Sequence, residues 1–328
     1  MLSTPTPVSQ KRRHVLNETM KAVRIHAYGG PEVLQYEKVL RPTPGAGEVL
    51  VRVYAAGVNP IDWKIRQGYV ESMVPHSFPL TLGLDFAGVV ETVGPGVIYW
   101  KKGDAVFSRQ DPSCDGTYAE YVVVKALDLA AKPASLDAIR SAAVPLAGLT
   151  AWQALFDIGA LADGQSVLIH AAAGGVGSFA VQLAKWKGAR VIGTASSRHL
   201  QHVKSLGADK VIDYQTQRFE EIVHDVDLVL DTIGGDTQRR SWPVIKKGGT
   251  LVSTVQPPAE QEAAAHGARG VVMAVQTKPG ELEQIAKLID SGKLRVYVET
   301  VLPLSEARQA HLLSQTNHTC GKIVLKVA

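Results

Sequence analysis

At 328 residues, 45% hydrophobic and 20% charged, the chain has the balance of a soluble globular protein with a large core and room for two domains. The net charge of +4 is small for this length, and no dense basic stripe follows Lys11-Arg12-Arg13, which argues against a nucleic-acid partner. Two cysteines, Cys114 and Cys320, rule out a disulfide framework and an all-cysteine metal site, and no apolar run reaches membrane-spanning length. A reducing compartment, the cytoplasm, is therefore expected, with no membrane partner.

Residues 1–19 are rich in Ser, Thr, Pro and basic residues, with no acid before Glu18. A transit peptide has that composition but should also show an apolar face, so a flexible leader is expected here. From Met20 to about Ala126 the pattern is β-rich and broken by turns. Lys21 to Ile25, Val49 to Ala55, Gly88 to Gly94, Lys102 to Phe107 and Tyr118 to Val124 read as short strands of a compact, barrel-like domain. At Ser141 the spacing becomes helical, with Ala142, Ala143, Leu146, Leu149, Trp152 and Leu155 apolar.

The stretch Ser166 to Gly188 carries the strongest local signal. Ser166 to His170 is a short apolar run suited to a strand buried in a parallel sheet. Small residues follow, Ala171-Ala172-Ala173-Gly174-Gly175-Val176-Gly177, and then a helical pattern closed by Gly188. Strand, glycine turn and helix open a dinucleotide-binding unit, in which the backbone approaches a pyrophosphate and the helix N-terminus faces it. Ala172, Gly174 and Gly177 occupy the three glycine positions of that motif, so its first glycine is an alanine, and Gly175 and Val176 complete the turn.

Strand and helix then alternate, as in a doubly wound α/β sheet: Arg190 to Thr194, Lys210 to Ile212, Val226 to Asp231 and Thr250 to Ser253 are strands. Leu200 to Leu206 and Phe219 to His224 read as helices between them. Val271 to Val275 reads as an outer strand, apolar enough for an edge to call for a covering partner, and a homodimer through it is expected. Glu281 to Ser291 is an amphipathic helix, and Gly321 to Val327 is a last strand returning to the β domain. The second strand of the unit ends in Thr194-Ala195-Ser196-Ser197-Arg198, where an NAD-binding chain carries an acid. Small hydroxyls and an arginine suit a 2′-phosphate instead. Thr194, Ser196, Ser197 and Arg198 are thus expected to hold NADPH. Ile233 and Gly234 lie at the strand edge where such sheets bind ligands.

From about Met20 onward these residues resemble the zinc-free quinone oxidoreductase branch of the medium-chain dehydrogenase/reductase family. The likeness rests on the nucleotide turn, on Ala56-Gly57-Val58-Asn59-Pro60-Ile61-Asp62, on Leu82 to Val90 and on Leu146 to Trp152. It implies a GroES-like catalytic domain over 20–145, completed by about 285–328, and an NADPH-binding Rossmann domain over 146–284. Where zinc-using relatives place a cysteine this chain has Asn59, and where they place a histidine it has Leu84. Leucine cannot coordinate zinc and asparagine is a poor ligand for it, so metal-independent hydride transfer to a quinone or an α,β-unsaturated carbonyl is implied. The resemblance places Asn59 near the nicotinamide or the substrate carbonyl and gives Asp62 a supporting role. It offers Tyr69 as proton donor or carbonyl partner, beside a plain packing role. Thr150 would meet the nicotinamide side or only pack, and Tyr214 would meet the adenosine side. Lys322 would reach a cofactor phosphate or be a solvated strand-end lysine. An enoyl-thioester reductase, and an NADPH-binding protein with little turnover, are the competing functions.

Overall fold

The computed structural model describes residues 18–328. Positions 1–17 of the expected leader lie outside the described residues, and Thr19 already belongs to the first strand. The N-terminal part comprises β1 (Thr19–Ile25), β2 (Gln35–Leu40), β3 (Glu48–Val58), α1 (Pro60–Arg66), β4 (Leu80–Thr81), β5 (Asp85–Val93), β6 (Ala105–Arg109), β7 (Tyr121–Lys125) and β8 (Ala130–Ala131). β1 lies between β2 and β4 in a small sheet. The larger sheet is centred on β3 and β5, both long and mostly buried. Residues Tyr118 and Ala119, read from sequence as part of a strand, precede β7, and Ala119 only bridges Ala22.

The helix expected from Ser141 is in fact two, α2 (Ala138–Ala142) and α3 (Pro145–Trp152). Pro145 is the cause. It has no N–H to continue a preceding helix, but its fixed φ suits the first turn of a new one. Then come β9 (Ser166–Ile169), α4 (Gly175–Trp186), β10 (Arg190–Ala195), α5 (Leu200–Ser205), β11 (Lys210–Asp213), β12 (Val226–Asp231), α6 (Gly235–Ser241), β13 (Ile245–Ser253), α7 (Glu260–Ala265) and β14 (Arg269–Val272). The expected helix at Phe219 is a single 3₁₀ turn.

The six strands pair in parallel in the order β11-β10-β9-β12-β13-β14, which is the 3-2-1-4-5-6 order of a doubly wound sheet counted from β9. Val167, Leu168, Ile169, Leu228, Val229 and Leu230 are all buried, as strands covered on both faces require. The outer strand is Arg269–Val272 rather than Val271 to Val275. Met273 is buried after it, the chain then leaves the sheet, and Val272 is 47% exposed.

The chain returns through α8 (Pro279–Asp290), which packs on α3, then β15 (Val298–Pro303), α9 (Ala307–Gln315) and β16 (Lys322–Lys326). β16 runs antiparallel to β3, with Ile323 opposite Val58, so the last strand joins the larger sheet of the β-rich part, between β15 and β3. Just before it, Gly321 donates its N–H to Ala173 O at 2.7 Å and bridges Gly174. The C-terminal strand therefore joins the two sheets at the glycine turn.

Gly177 sets how closely α4 approaches β9. A Cβ there would lie 2.2 Å from Ala171 O and 2.7 Å from Ala172 Cα, both backbone atoms that cannot swing aside. Gly177→Ala should lower stability by about 1–3 kcal/mol or more, read as a fall in denaturant midpoint. A variant with the parental midpoint would contradict this packing.

Candidate active site

The nucleotide turn is built on β9. Its strand ends at Ile169, Ala171 takes φ +50°, and Gly174 caps the twelve-residue helix α4. Positive φ at an alanine is uncommon, and residues held there concentrate at ligand sites. Gly174, Gly175 and Val176 are only half-buried, so the first N–H groups of α4, which have no partner within the helix, remain reachable by an anion. Ala172 N–H donates to Thr194 O at 2.9 Å, which ties the turn to β10.

Beyond β10, Ser197 and Arg198 are exposed and Ser196 is largely buried. Ser197 N–H and Oγ lie 3.4 and 3.2 Å from Gln215 Oε1. Tyr214, half exposed at the end of β11, donates its N–H to Ala195 O at 3.2 Å. Ser197, Arg198, Tyr214 and Gln215 thus share the C-terminal edge of two adjacent parallel strands, and Gln215 was not foreseen from the sequence. Thr194 differs from expectation. Its side chain is buried, with Oγ1 3.2 Å from His170 Nδ1, because β10 is covered on both faces. At the end of β12, Ile233 is exposed, and Asp231 Oδ1 accepts the N–H groups of both Ile233 and Gly234 at 2.9 and 2.8 Å. Thr150 is buried and donates Oγ1 to Leu146 O at 2.7 Å within α3.

Where β3 ends against this turn lies a buried polar cluster. Asn59 caps α1, and its N–H donates to Asp62 Oδ2 at 2.8 Å, the carboxylate half of a capping box. Asn59 Nδ2 donates to Asp85 Oδ2 at 2.9 Å, while Asn59 Oδ1 accepts from Lys322 Nζ. Lys322 Nζ also donates to Val58 O at 2.9 Å and stands 3.7 Å from Asp85 Oδ2. Asp85 Oδ1 accepts the N–H of Leu146 at 2.9 Å, and Tyr118 Oη donates to Asp62 Oδ2 at 2.8 Å. Asp62 Oδ1 has no partner.

Burial pushes the Asp62 carboxyl up to about 7, against the pull of the Asn59 N–H and the Tyr118 hydroxyl. Burial also raises Asp85, with the Lys322 ammonium opposing it. Lys322 is lowered by burial and held up by Asp85 and Asp62. Lys322 is only 4% exposed, so it is neither a solvated strand-end lysine nor placed as a phosphate contact. It directly precedes Ile323, which lies opposite Val58 in the antiparallel β16–β3 ladder, and its ammonium donates to Val58 O.

Residues 45–134 match the alcohol dehydrogenase GroES-like domain family, and 206–325 match the zinc-binding dehydrogenase family. The mitochondrial NAD(P)H oxidoreductase RTN4IP1 of Mus musculus is 35% identical, over 94% of this chain and 89% of its own length. The chloroplastic NADPH-dependent alkenal/one oxidoreductase of Arabidopsis thaliana is 37% identical, over 93% of this chain and 79% of its own. The solved quinone oxidoreductase from Coxiella burnetii superposes with a TM-score of 0.88 at 36% identity, covering 95% of this chain and 100% of that one. The chain belongs to the quinone oxidoreductase branch of the medium-chain dehydrogenase/reductase family. It is an oxidoreductase that works with a nicotinamide cofactor, and both expected units, the GroES-like β domain and the doubly wound sheet, are present. The two relatives are mitochondrial and chloroplastic by name, so they lend no weight to the expected cytoplasmic location. Among the described residues no helix is long and apolar enough to cross a membrane.

Within this branch the departures from zinc-using relatives take physical form. Leu84 is buried and apolar, and Asn59 is committed to Asp85 and Lys322. Among the described residues no three His, Cys, Asp or Glu side chains are grouped to hold a metal. Tyr69 is 67% exposed, packs edge-on against Trp63 at 6.2 Å, and makes no hydrogen bond to the cluster. Asp85, Tyr118 and the inward placing of Lys322 were missed from sequence. Asp85 follows Leu84 within Leu82 to Val90, so an acid beside the expected departure from a zinc ligand was the available signal.

Asp62 predicts a pH dependence. A carboxyl that titrates near 7 when folded and near 3.8 when unfolded keeps its proton in the folded state after the unfolded chain has lost it. Stability should therefore fall as pH rises from about 4 to 7 and level off above, at no more than about 1.4 kcal/mol per pH unit from this group. Urea midpoints across that window should flatten in Asp62→Asn. An unchanged slope would assign the dependence elsewhere.

Proposed function

We propose that the chain is an NADPH-dependent, metal-independent reductase that transfers hydride to a quinone or an α,β-unsaturated carbonyl. The observation that supports this reading is the Asn59–Asp85–Lys322 cluster, in which Asn59, at the position where the resemblance expects a cysteine in zinc-using relatives, is engaged by a carboxylate and an ammonium. The name of the Arabidopsis relative, which is NADPH-dependent and acts on alkenals and alkenones, supports both cofactor and acceptor class. The residues present fit the cofactor. The reachable N–H groups at the start of α4 suit a pyrophosphate, and exposed Ser197 and Arg198, with no carboxylate closing β10, suit a 2′-phosphate.

When bound, the nicotinamide supplies the hydride. The chain's own work is to bind, orient and stabilise. Addition of hydride to an activated alkene or quinone leaves an enolate or phenolate, and a fixed amide and ammonium nearby lower its energy without reorganising. Ile233 and Gly234, held by Asp231 at the end of β12, line the edge where the cofactor lies in such sheets.

NADPH oxidation followed by absorbance with quinones, alkenals and enoyl thioesters tests the reading. Turnover with the first two supports it, preference for thioesters favours the enoyl reductase, and binding without turnover favours a sensing protein. Arg198→Ala should cut the preference for NADPH over NADH by more than about tenfold, roughly 1.4 kcal/mol. An unchanged ratio would remove Arg198 from the phosphate site.

A homodimer remains part of this proposal, now through β14 at Arg269–Val272, the outermost strand of the parallel sheet among the described residues. Light scattering at micromolar concentration should give twice the chain mass. A monomer would refute it.

A further inference from the structure

One side chain touches both halves of the site. Gly321, at φ +73° and with Tyr297 O only 2.5 Å from where a Cβ would sit, delivers the chain to β16 from the nucleotide turn. The next residue is Lys322. A Cβ on Gly175 would lie 2.9 Å from Lys322 Cδ, so the lysine stem lies directly against that turn. Its ammonium reaches the other way, to Val58 O, Asn59 Oδ1 and Asp85.

These contacts leave Asn59 one orientation. Only its oxygen can accept from an ammonium, and only its nitrogen can donate to a carboxylate. Lys322 and Asp85 together therefore forbid the flipped amide. The ionisable groups facing Lys322 are Asp85 from β5 and Asp62 from α1. Arg109, at the end of β6, acts on both carboxylates, and Tyr118 is bonded to Asp62. The nucleotide turn and β3 present only backbone and the Asn59 amide.

We propose that Lys322 is a positioning residue that fixes the Asn59 amide in register with the nucleotide turn, so that it governs turnover and not cofactor affinity. This rests on the reductase reading above. Loss of the ammonium leaves Asp85 as the one charged partner orienting the amide, and a neutral amine can accept as well as donate, so the amide is held less firmly while the glycine turn still binds nucleotide. Turnover should therefore fall as pH rises and Lys322 gives up its proton. An arginine, which stays charged, should not show that fall.

The test compares wild type, Lys322→Met, Lys322→Arg, Asn59→Ala and the Met/Ala double variant. With the best acceptor of the panel, Lys322→Met should lose kcat on the order of 100-fold. The NADPH Kd, from fluorescence titration, should stay within about threefold. The double variant should be no worse than the poorer single one, because both changes remove the same interaction. Lys322→Arg should keep reduced turnover without the alkaline fall, and it also serves if the methionine variant does not fold. A Kd that rises as far as kcat falls, or losses that multiply in the double variant, would overturn the proposal.

A second readout needs no turnover. In ¹⁵N-asparagine-labelled protein, the Asn59 side-chain amide pair, assigned by its absence in Asn59→Ala, should shift or broaden in the Lys322 variants. Unchanged signals would overturn the proposal, even if no acceptor is turned over and the reductase reading itself has failed.

Discussion

The burial of Asp85 is the constraint on which the rest of the site depends. A carboxylate with no exposed surface is tolerated only if its oxygens are fully engaged, and Asp85 meets that demand with groups from three other elements. Asn59 Nδ2 comes from the cap of α1, the Leu146 N–H from the start of α3, and the Lys322 ammonium from β16. One side chain on β5 therefore fixes the β-rich unit, the helix leading into the nucleotide-binding unit, and the C-terminal strand that returns from it. Removing a single partner of such a group costs about 3–5 kcal/mol, because it strands a buried charge. The cluster acts as one object.

The same constraint explains why the C-terminal strand crosses where it does. β16 pairs with β3 with Val324 opposite Gly57 and Leu325 opposite Ala56, and both of these β16 side chains are buried. A one-residue slip would turn Lys322 to the opposite face and leave Asp85 without its cation. The Gly321 N–H to Ala173 O bond pins the register from the other side. Backbone pairing and charge compensation agree on one alignment, and the nucleotide turn is part of that agreement.

What was legible in the sequence was local. The strand, glycine turn and helix from Ser166 to Gly188 lie within one short segment, and the alternation after it led to the doubly wound sheet without knowledge of distant contacts. Lys322 and Val58 are 264 positions apart, and no period or motif in either segment says which face of β16 meets β3. The inward lysine was therefore invisible, and the solvated reading failed. Thr194 is a related case: it opens the segment expected to hold a 2′-phosphate, but its hydroxyl is buried 3.2 Å from His170 Nδ1, a contact between neighbouring strands that the local sequence does not announce. The outer strand was placed by hydrophobicity, which marks where apolar residues lie but not where ladder pairing stops. Val271 and Val272 pair with β13, and Met273 instead fills the core.

The expected departures from zinc ligands at Asn59 and Leu84 go with a defined arrangement of other groups. A zinc site fixes its geometry through coordination bonds, and removing the ion would leave the remaining polar groups free to reorient. Here an amide lies between a carboxylate and an ammonium, so that its two ends cannot exchange. Asn59, Asp85 and Lys322 are all buried, so little water screens the charges that act on the amide. Directional hydrogen bonds among buried groups thus supply rigidity of the kind that coordination supplies elsewhere. The cost is a buried ammonium and two buried carboxylates whose protonation states depend on one another, so the geometry of the site and its response to pH have a single physical origin.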